Sequence, residues 1–92
     1  MRFEWDEDKN AINIRKHGID FNDVPAMFNH PMLTLMDHRD DYGEDRWIGI
    51  GLFTEQIGVV VYTERDGDVI RIISARKATK REVKGYGEHI KD

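Results

Sequence analysis

The fold of this chain is decided by a stretch in its second half, Ile57-Gly58-Val59-Val60-Val61-Tyr62-Thr63-Glu64-Arg65-Asp66-Gly67-Asp68-Val69-Ile70-Arg71-Ile72-Ile73-Ser74-Ala75. Two runs rich in Val, Ile and Tyr, residue types that favour strands, flank the dipeptide Asp66-Gly67. This dipeptide is a strong signal for a type I′ hairpin turn. The stretch therefore predicts two antiparallel strands, Ile57–Arg65 and Asp68–Ala75.

The turn also predicts which residues face each other across the hairpin. Arg65 is expected opposite Asp68, and Tyr62 opposite Arg71, because a two-residue loop fixes the register. One face, expected to pack on the helices, would carry Val59, Val61, Thr63, Ile70 and Ile72. The other, expected to be an open face of mixed character, would carry Val60, Tyr62, Glu64, Val69, Arg71 and Ile73.

Upstream of the hairpin, two segments have the composition and alternation of strands, Met32–Met36 and Arg46–Phe53. A turn around Glu55-Gln56 would place Ile48, Ile50 and Leu52 on the expected core face. The same pairing would leave Trp47, Gly49 and Gly51 beside Tyr62 and Glu64. Because glycine has no side chain, we expect a shallow groove on the open face.

Helix signals lie at both ends of the chain. Asp6 is a good N-cap, and Gly18 is a good terminator after the basic residues of a last turn. A second short helix is expected over Phe21–Phe28. A C-terminal helix is expected over Ala78–Lys84 and should break at Gly85-Tyr86-Gly87, because glycine lowers helix stability.

These signals together predict an α+β fold in a single small domain over residues 1–92. The sheet is expected to be antiparallel, with three to four strands, packed on the N-terminal helices and followed by the C-terminal helix. Phe3–Trp5 is a candidate for a further short strand at the start. No internal repeat or linker divides the sequence.

Composition excludes several protein classes. The charged fraction of 35% excludes a membrane protein. The absence of cysteine excludes a disulfide scaffold and a thiolate metal site. The longest apolar run, Ile57 to Tyr62, is far shorter than the roughly 20 residues that span a bilayer. The first residues lack the apolar core of a signal peptide, so we expect a cytoplasmic protein that does not enter a membrane.

Charge is distributed unevenly along the chain. The net charge of −4 disfavours a nucleic-acid partner at first sight. Residues 1–41 hold five Lys and Arg against nine Asp and Glu, whereas residues 71–84 hold six basic residues against one acid, Glu82. Salt confines a charge's field to about 8 Å, so local charge governs attraction. The basic segment therefore indicates either an RNA-binding surface or a solvated basic helix face.

The candidate RNA site combines aromatic and basic residues. Trp47 and Tyr62 are expected to stack on bases, and Lys77 and Lys80 to attract phosphates. The alternative is a surface pair in which Tyr62 and Arg71 contact each other without binding RNA.

In metal-independent RNA cleavage the attacking 2′-hydroxyl loses a proton and the leaving 5′-oxygen gains one. Cations must also stabilise the additional negative charge on the phosphoryl group. Arg65, Arg71 and Arg76 are the candidate cations. Glu64 and His17 are the candidate proton-transfer groups. A salt bridge remains the alternative for Glu64, and a helix-capping role remains the alternative for His17.

The polar loop Asp37-His38-Arg39-Asp40-Asp41 offers three carboxylates and an imidazole. Its spacing matches no metal-ligand pattern, so a solvated acidic loop is favoured and neither a metal nor another cofactor is expected. The remaining histidines, His30, His38 and His89, are expected to be exposed to solvent.

The order of these motifs resembles the BrnT family of bacterial toxins. The N-terminal pieces that carry the resemblance are Phe3-Glu4-Trp5-Asp6, Lys9-Asn10, and Arg15-Lys16-His17-Gly18-Ile19 with Phe21. The later pieces are Gly43-Glu44 with Arg46, Val60-Val61-Tyr62-Thr63-Glu64-Arg65, and Arg71-Ile72-Ile73-Ser74-Ala75-Arg76-Lys77-Ala78. Together they cover nearly the whole chain.

The resemblance implies a RelE-like ribonuclease, the toxin of a type II toxin–antitoxin pair, which arrests translation. The resemblance also implies a BrnA-like antitoxin that binds DNA through a ribbon-helix-helix part. The toxin would then contact DNA only through this partner. The resemblance is compatible with a homodimer of the toxin inside the complex. The family's polar signature matches Glu64, Arg65, Arg71, Arg76 and His17, without assigning them catalytic roles.

Two other hypotheses remain open at this point. The chain is alternatively a non-catalytic module whose basic face binds an acidic partner peptide, or a toxin-derived remnant that has lost its activity. Sequence does not separate either from an active ribonuclease, because all three need a basic surface.

Overall fold

The computed structural model describes residues 1–91. The elements are β1 (Arg2–Glu4), α1 (Glu7–His17), two 3₁₀ turns (Phe21–Asp23 and Pro25–Asn29), β2 (Leu33–Met36), β3 (Trp47–Phe53), β4 (Gln56–Arg65), β5 (Val69–Lys77) and α2 (Lys80–Lys91). Helices at the N-terminal side, a sheet and a C-terminal helix confirm the predicted α+β class.

The sheet has five strands in the order β1-β5-β4-β3-β2 and is mixed. The expectation of an antiparallel sheet with three to four strands is wrong, because β1 adds to the edge of β5 in parallel, with Phe3 opposite Ile70. Sequence alternation does not reveal this pairing, since a three-residue strand is too short to show a period. The other neighbouring pairs are antiparallel.

The central hairpin forms as predicted, but its register differs by one residue. Arg65 pairs with Val69 instead of Asp68, because the left-handed backbone lies at Gly67 and Asp68, with φ of 78° and 62°. A one-residue shift on one strand exchanges its two faces relative to the partner strand. Tyr62 consequently pairs with Ile72, and the predicted pairing with Arg71 is wrong.

A β-bulge interrupts the same hairpin. Val61 pairs with Ser74 and Tyr62 pairs with Ile72, so Ile73 has no partner on β4. A bulge inserts an extra residue that changes the direction of side chains after it. As a result, Ser74 and Arg76 lie on the sheet face that carries Val61 and Val59.

The helical segments pack on the face of β4 opposite to the one predicted, whereas Ile70 and Ile72 of β5 lie in the core as predicted. The buried core joins Phe21, Val24 and Met27 of the 3₁₀ turns to Val60 and Tyr62 of β4. Tyr62 is 6% exposed, and its ring meets Phe28 edge-on at 5.1 Å between centroids. The expectation that Tyr62 lies on an open face is therefore wrong.

The predicted groove above the glycines of β3 is filled. A Cβ atom at Gly51 would lie 2.7 Å from Cγ of Met32, and one at Gly49 would lie 3.3 Å from Cε1 of Tyr62. Gly49 and Gly51 thus allow close packing by neighbouring side chains and do not open a surface for a ligand.

The ends of α1 confirm both predicted caps. The Asp6 carboxylate accepts hydrogen bonds from the backbone of Asp8 and Lys9, and Gly18 has the left-handed φ of 71°. The residues that α1 buries are polar, however: Asn10 is 6% exposed and Asn13 is 5% exposed. The helix is therefore attached to the sheet by amide hydrogen bonds as well as by apolar contact.

Helix α2 continues from Lys80 to Lys91, so the predicted break at residues 85–87 is wrong. Thr79 and Glu82 form a capping box, in which each side chain accepts a hydrogen bond from the other's backbone N–H, at 2.8 and 3.2 Å. Two glycines cost about 1 kcal/mol each in a helix interior, which lowers stability without forbidding the helix.

Candidate functional site

A cleft of about 310 Å³ opens on the sheet face that carries Val59 and Val61, beside the end of α1. It is lined by Lys16, His17, Arg39, Ile48, Val59, Val61, Ser74 and Arg76. We call it the cationic cleft, because its charged lining residues, within the described chain, are lysine and arginine. It brings together two residues predicted for the site, His17 and Arg76, with three polar residues that were not predicted, Lys16, Arg39 and Ser74.

Arg39 enters the cleft from the loop after β2 and is held by one carboxylate. Its Nε and Nη2 each donate to an oxygen of Asp37 at 2.8 Å. The Asp37 side chain is fully buried, and its backbone N–H donates to the carbonyl of Arg46 at 2.8 Å. The Arg39 guanidinium lowers the pKa of Asp37 to about 2. This two-point contact fixes the direction of a side chain that is itself 65% exposed.

Arg76 is held in the same way from the other side. Its Nη1 and Nη2 each donate to a carboxylate oxygen of Glu82 at 2.8 Å. The hydrogen bonds from Arg76 lower the pKa of Glu82 to about 2. Because Glu82 also belongs to the capping box at Thr79, the start of α2 orients this guanidinium.

The two guanidinium groups act on each other. The pKa of Arg76 is raised by its hydrogen bond to Glu82, and the positive charge of Arg39 works against that rise. Two like charges directed into one cleft repel, and an anion between them relieves the repulsion. A phosphate group, with several acceptor oxygens, fits this arrangement.

His17 is placed at the cleft by Asn13, one helical turn before it. The Asn13 side-chain amide donates to the carbonyl oxygens of Ala75 and Ile19, both at 2.9 Å, and accepts from the Ala75 N–H at 3.1 Å. The amide thus pairs with the β5 edge as a strand residue would. Because residues four apart share a helix face, this attachment directs the end of α1 towards Ser74 and Arg76.

A larger cleft, of about 440 Å³, lies at the other end of β4. It is lined by Glu44, Asp45, Trp47, Thr63, Glu64, Arg65 and Asp66, and we call it the acidic cleft. Three residues predicted for the RNA site, Trp47, Glu64 and Arg65, lie here and not beside His17 and Arg76. Nη2 of Arg65 is 3.7 Å from Glu44.

The remaining predicted site residues lie apart from both clefts. Arg71 lies on the same sheet face as Arg76, but its Nη1 donates to Glu4 at 2.7 Å. Lys77 and Lys80 are exposed near the start of α2. Tyr62 is buried, which raises the pKa of its hydroxyl.

Sequence reasoning missed Lys16, Arg39 and Ser74. Arg39 belongs to the loop that was expected to be solvated and acidic. A local signal for its position exists, because an Asp side chain commonly bonds the backbone N–H two residues later, and Asp37 precedes Arg39 by two residues. Asp37 does accept from the Arg39 N–H, at 3.1 Å. Ser74 had no sequence signal, because the bulge decides its face.

The described residues hold neither a metal-ligand cluster nor a membrane-spanning helix. Among residues 1–91, no group of three or more His, Cys, Asp or Glu side chains is arranged to hold a metal ion. No helix in that range is both long and apolar enough to cross a membrane. His30, His38 and His89 are exposed as predicted, although His89 lies in the last turn of α2 and not in a loop.

Comparison with known proteins identifies a family and a similar solved structure. Residues 5–82 match the family model described as the ribonuclease toxin, BrnT, of type II toxin–antitoxin systems. The fold is similar to the crystal structure of the Brucella abortus ribonuclease toxin, BrnT, with a TM-score of 0.72 and 30% identity. The match covers 87% of this chain and 99% of that chain. No curated protein matched the sequence.

Proposed function

The chain belongs to the BrnT family of ribonuclease toxins of type II toxin–antitoxin systems. On this basis we propose that it is an endoribonuclease, that it cleaves RNA in its cationic cleft, and that this cleavage arrests translation. The arrangement of Arg39 and Arg76 carries this proposal. Each guanidinium is fixed by a two-point carboxylate contact and faces a cleft of about 310 Å³ beside an imidazole.

The chemistry requires this combination of groups. The 2′-oxygen attacks the adjacent phosphorus, the bond from phosphorus to the 5′-oxygen breaks, and the products are a 2′,3′-cyclic phosphate and a 5′-hydroxyl. Arg39 and Arg76 stabilise the additional negative charge on the phosphoryl oxygens, and their fixed orientation avoids a reorganisation cost during the reaction.

His17 is the proton-transfer group in this proposal. Histidine is the side chain whose ordinary pKa lies closest to neutral pH, so an exposed imidazole at the cleft can accept the 2′-hydroxyl proton. Water in the open cleft supplies the proton to the leaving 5′-oxygen. Glu64, which lines the acidic cleft, takes no part in this step.

Membership of a type II toxin family implies an antitoxin partner. In our proposal this partner is BrnA-like and carries the ribbon-helix-helix DNA reader, so the toxin contacts DNA only through it. We further propose that the protein acts in the cytoplasm, that its fold is related to RelE-like ribonucleases, and that two copies meet within the toxin–antitoxin complex.

The test is cleavage of total RNA by the purified protein, with and without a chelator, together with growth on expression. We expect cleavage that is insensitive to the chelator, growth arrest by the wild type, and loss of both in Arg39→Ala and Arg76→Ala. Chelator-sensitive cleavage would overturn metal independence. Absence of cleavage by well-folded protein would favour the non-catalytic module that binds an acidic peptide.

A further inference from the structure

A second cavity, of about 180 Å³, adjoins the cationic cleft and shares Lys16, His17 and Ser74 with it. Its other lining residues are Lys9, Ile12, Asn13 and Ile73. We propose that this cavity, the base pocket, receives a nucleobase of the RNA whose phosphate lies between Arg39 and Arg76. This inference rests on the proposed function and assigns the residues that hold the substrate beside the reacting bond.

The β-bulge builds one wall of the base pocket. Ile73 and Ser74 are consecutive residues, and regular strand alternation would send their side chains to opposite faces. Both nevertheless line the same cavity, because Ile73 is the unpaired residue of the bulge. Bulges commonly redirect a side chain next to an active site. Here the redirection places an apolar side chain beside the cationic cleft.

Ile12 forms the facing wall from α1. It is 52% exposed although it is a large apolar residue, and the core of the fold does not use it. An exposed isoleucine alone needs no explanation, but here it faces a cavity that also contains Ile73. Two aliphatic side chains on opposite walls suit the flat apolar surface of a base.

Five of the seven residues that line the base pocket are polar, and one of them, Asn13, already uses its amide in hydrogen bonds. The Asn13 amide makes three hydrogen bonds with backbone groups of Ile19 and Ala75, so it forms a fixed wall. The Ser74 hydroxyl and the His17 ring stand where the two cavities meet. They can contact a base edge on one side and a ribose or phosphate on the other.

The charge of the base pocket favours a nucleotide over an acidic peptide. Lys9 and Lys16 border it and the described lining contains no carboxylate, so a polyanion is attracted to its rim. An acidic peptide would satisfy the lysines equally well. A nucleotide additionally has a planar base covalently linked to its phosphate. The base can lie between Ile12 and Ile73 while Arg39 and Arg76 hold the phosphate, and acidic side chains of a peptide supply no such planar group.

The first test uses cleavage of an RNA of defined sequence and of the same RNA with single abasic sites near the cleaved bond. We expect Ile12→Ala and Ile73→Ala each to lower kcat/KM on intact RNA by about tenfold, the order of one lost base contact. On the RNA that lacks the bound base the same substitutions should have little effect, because the contact is already missing. Leu35→Ala, at an exposed apolar residue of β2, is the matched control.

Two results separate failure of this inference from failure of the proposed function. If Arg39→Ala abolishes cleavage while Ile12→Ala and Ile73→Ala cleave as the wild type does, the cationic cleft is correct and the base pocket is overturned. Equal losses on intact and abasic RNA would also overturn it, because they would indicate a structural effect. Ile12 is half exposed on a helix surface, so its substitution keeps the test valid if Ile73→Ala unfolds.

The second test does not depend on cleavage. The isoleucine methyl signals are followed by NMR during titration with nucleoside monophosphates, with ribose 5-phosphate and with inorganic phosphate. We expect nucleotides to shift the methyl signals of Ile12 and Ile73, and the two base-free phosphates to leave them nearly unchanged. Equal shifts with ribose 5-phosphate, or no shift with any nucleotide, would overturn the base pocket.

Discussion

Two clefts border β4, and they differ in charge more than in size. The acidic cleft has a volume of about 440 Å³, and four of its lining residues, Glu44, Asp45, Glu64 and Asp66, are acids. The cationic cleft is smaller, about 310 Å³, and its charged side chains are Lys16, Arg39 and Arg76. The four acids of the acidic cleft repel a polyanion more than the cationic cleft does, so the larger cavity is the poorer candidate for RNA.

The clefts also differ in how their arginines are held. Arg39 and Arg76 each make two contacts of 2.8 Å with one carboxylate. In the acidic cleft, Arg65 lies 3.7 Å from Glu44 and is 48% exposed. A two-point contact fixes a guanidinium, whereas a single long ion pair at the surface does not. Orientation therefore separates an arginine suited to catalysis from one that is merely basic.

The largest expected effect is on cleavage. Arg39→Ala and Arg76→Ala should each lower kcat/KM by about a hundredfold or more, because each removes a fixed donor to the developing phosphoryl charge. Arg65→Ala should change it by only about twofold, since an exposed ion pair contributes little. Steady-state cleavage of one RNA by the three variants checks this. A larger loss in Arg65→Ala than in the other two would reverse the assignment of the clefts.

A second prediction concerns Asn13, which attaches α1 to the cationic cleft. Asn13→Ala leaves the backbone groups of Ala75 and the carbonyl of Ile19 without partners, so we expect a loss of about 3 kcal/mol in the free energy of unfolding. Cleavage per folded molecule should fall about tenfold, because His17 loses its position. Urea unfolding and cleavage assays measure both. Asn29→Ala, at an exposed position, is the control, and equal destabilisation by it would contradict the role of Asn13.

The sequence predicts the local features of the molecule better than its strand register. The caps of α1 at Asp6 and Gly18 depend on a few adjacent residues, and both were predicted. The hairpin was predicted as well, but its register was not, because the left-handed residues are Gly67 and Asp68. A single-residue error in the turn was sufficient to reverse the expected core face of β4, while Ile70 and Ile72 of β5 lie in the core as predicted.

The site was harder to predict than the elements that carry it. Arg39 joins Arg76 only through the folding of the loop after β2 over the sheet, which no local pattern reports. Ser74 reaches the cleft because a bulge places it opposite Val61, and no local pattern in the sequence indicates that bulge. The basic character of the end of α1 and of β5 led to the prediction of His17 and Arg76, but it did not reveal that the two line one cleft.

A third prediction separates the clefts by salt dependence. For a single strand, the logarithm of affinity falls with the logarithm of salt by about 0.7 per phosphate contact. Arg39→Ala should therefore reduce this slope by about 0.7, whereas Glu64→Gln should leave it unchanged. Binding of a non-cleavable 2′-deoxy oligonucleotide at several salt concentrations measures the slope. An unchanged slope in Arg39→Ala would place the phosphate elsewhere.

The smallest expected effect is on stability in acid. Folding lowers the pKa values of Asp37 and Glu82 to about 2, from ordinary values of 3.8 and 4.5. Their ion pairs thus stabilise the fold fully above about pH 4.5, and this contribution is lost as the pH falls towards 2. Asp37→Asn should flatten the fall in thermal midpoint over this range. An unchanged pH profile would mean that the Arg39 contact does not form in solution.

The most direct measurement of the central claim maps where RNA binds. Backbone amide signals are followed by NMR as a non-cleavable 2′-deoxy oligonucleotide is added to the wild-type protein. We expect the largest shifts at Lys16, His17, Arg39, Ser74 and Arg76, and small ones at residues 44–47 and 63–66. Shifts concentrated at residues 44–47 and 63–66, with the cationic cleft unaffected, would contradict it.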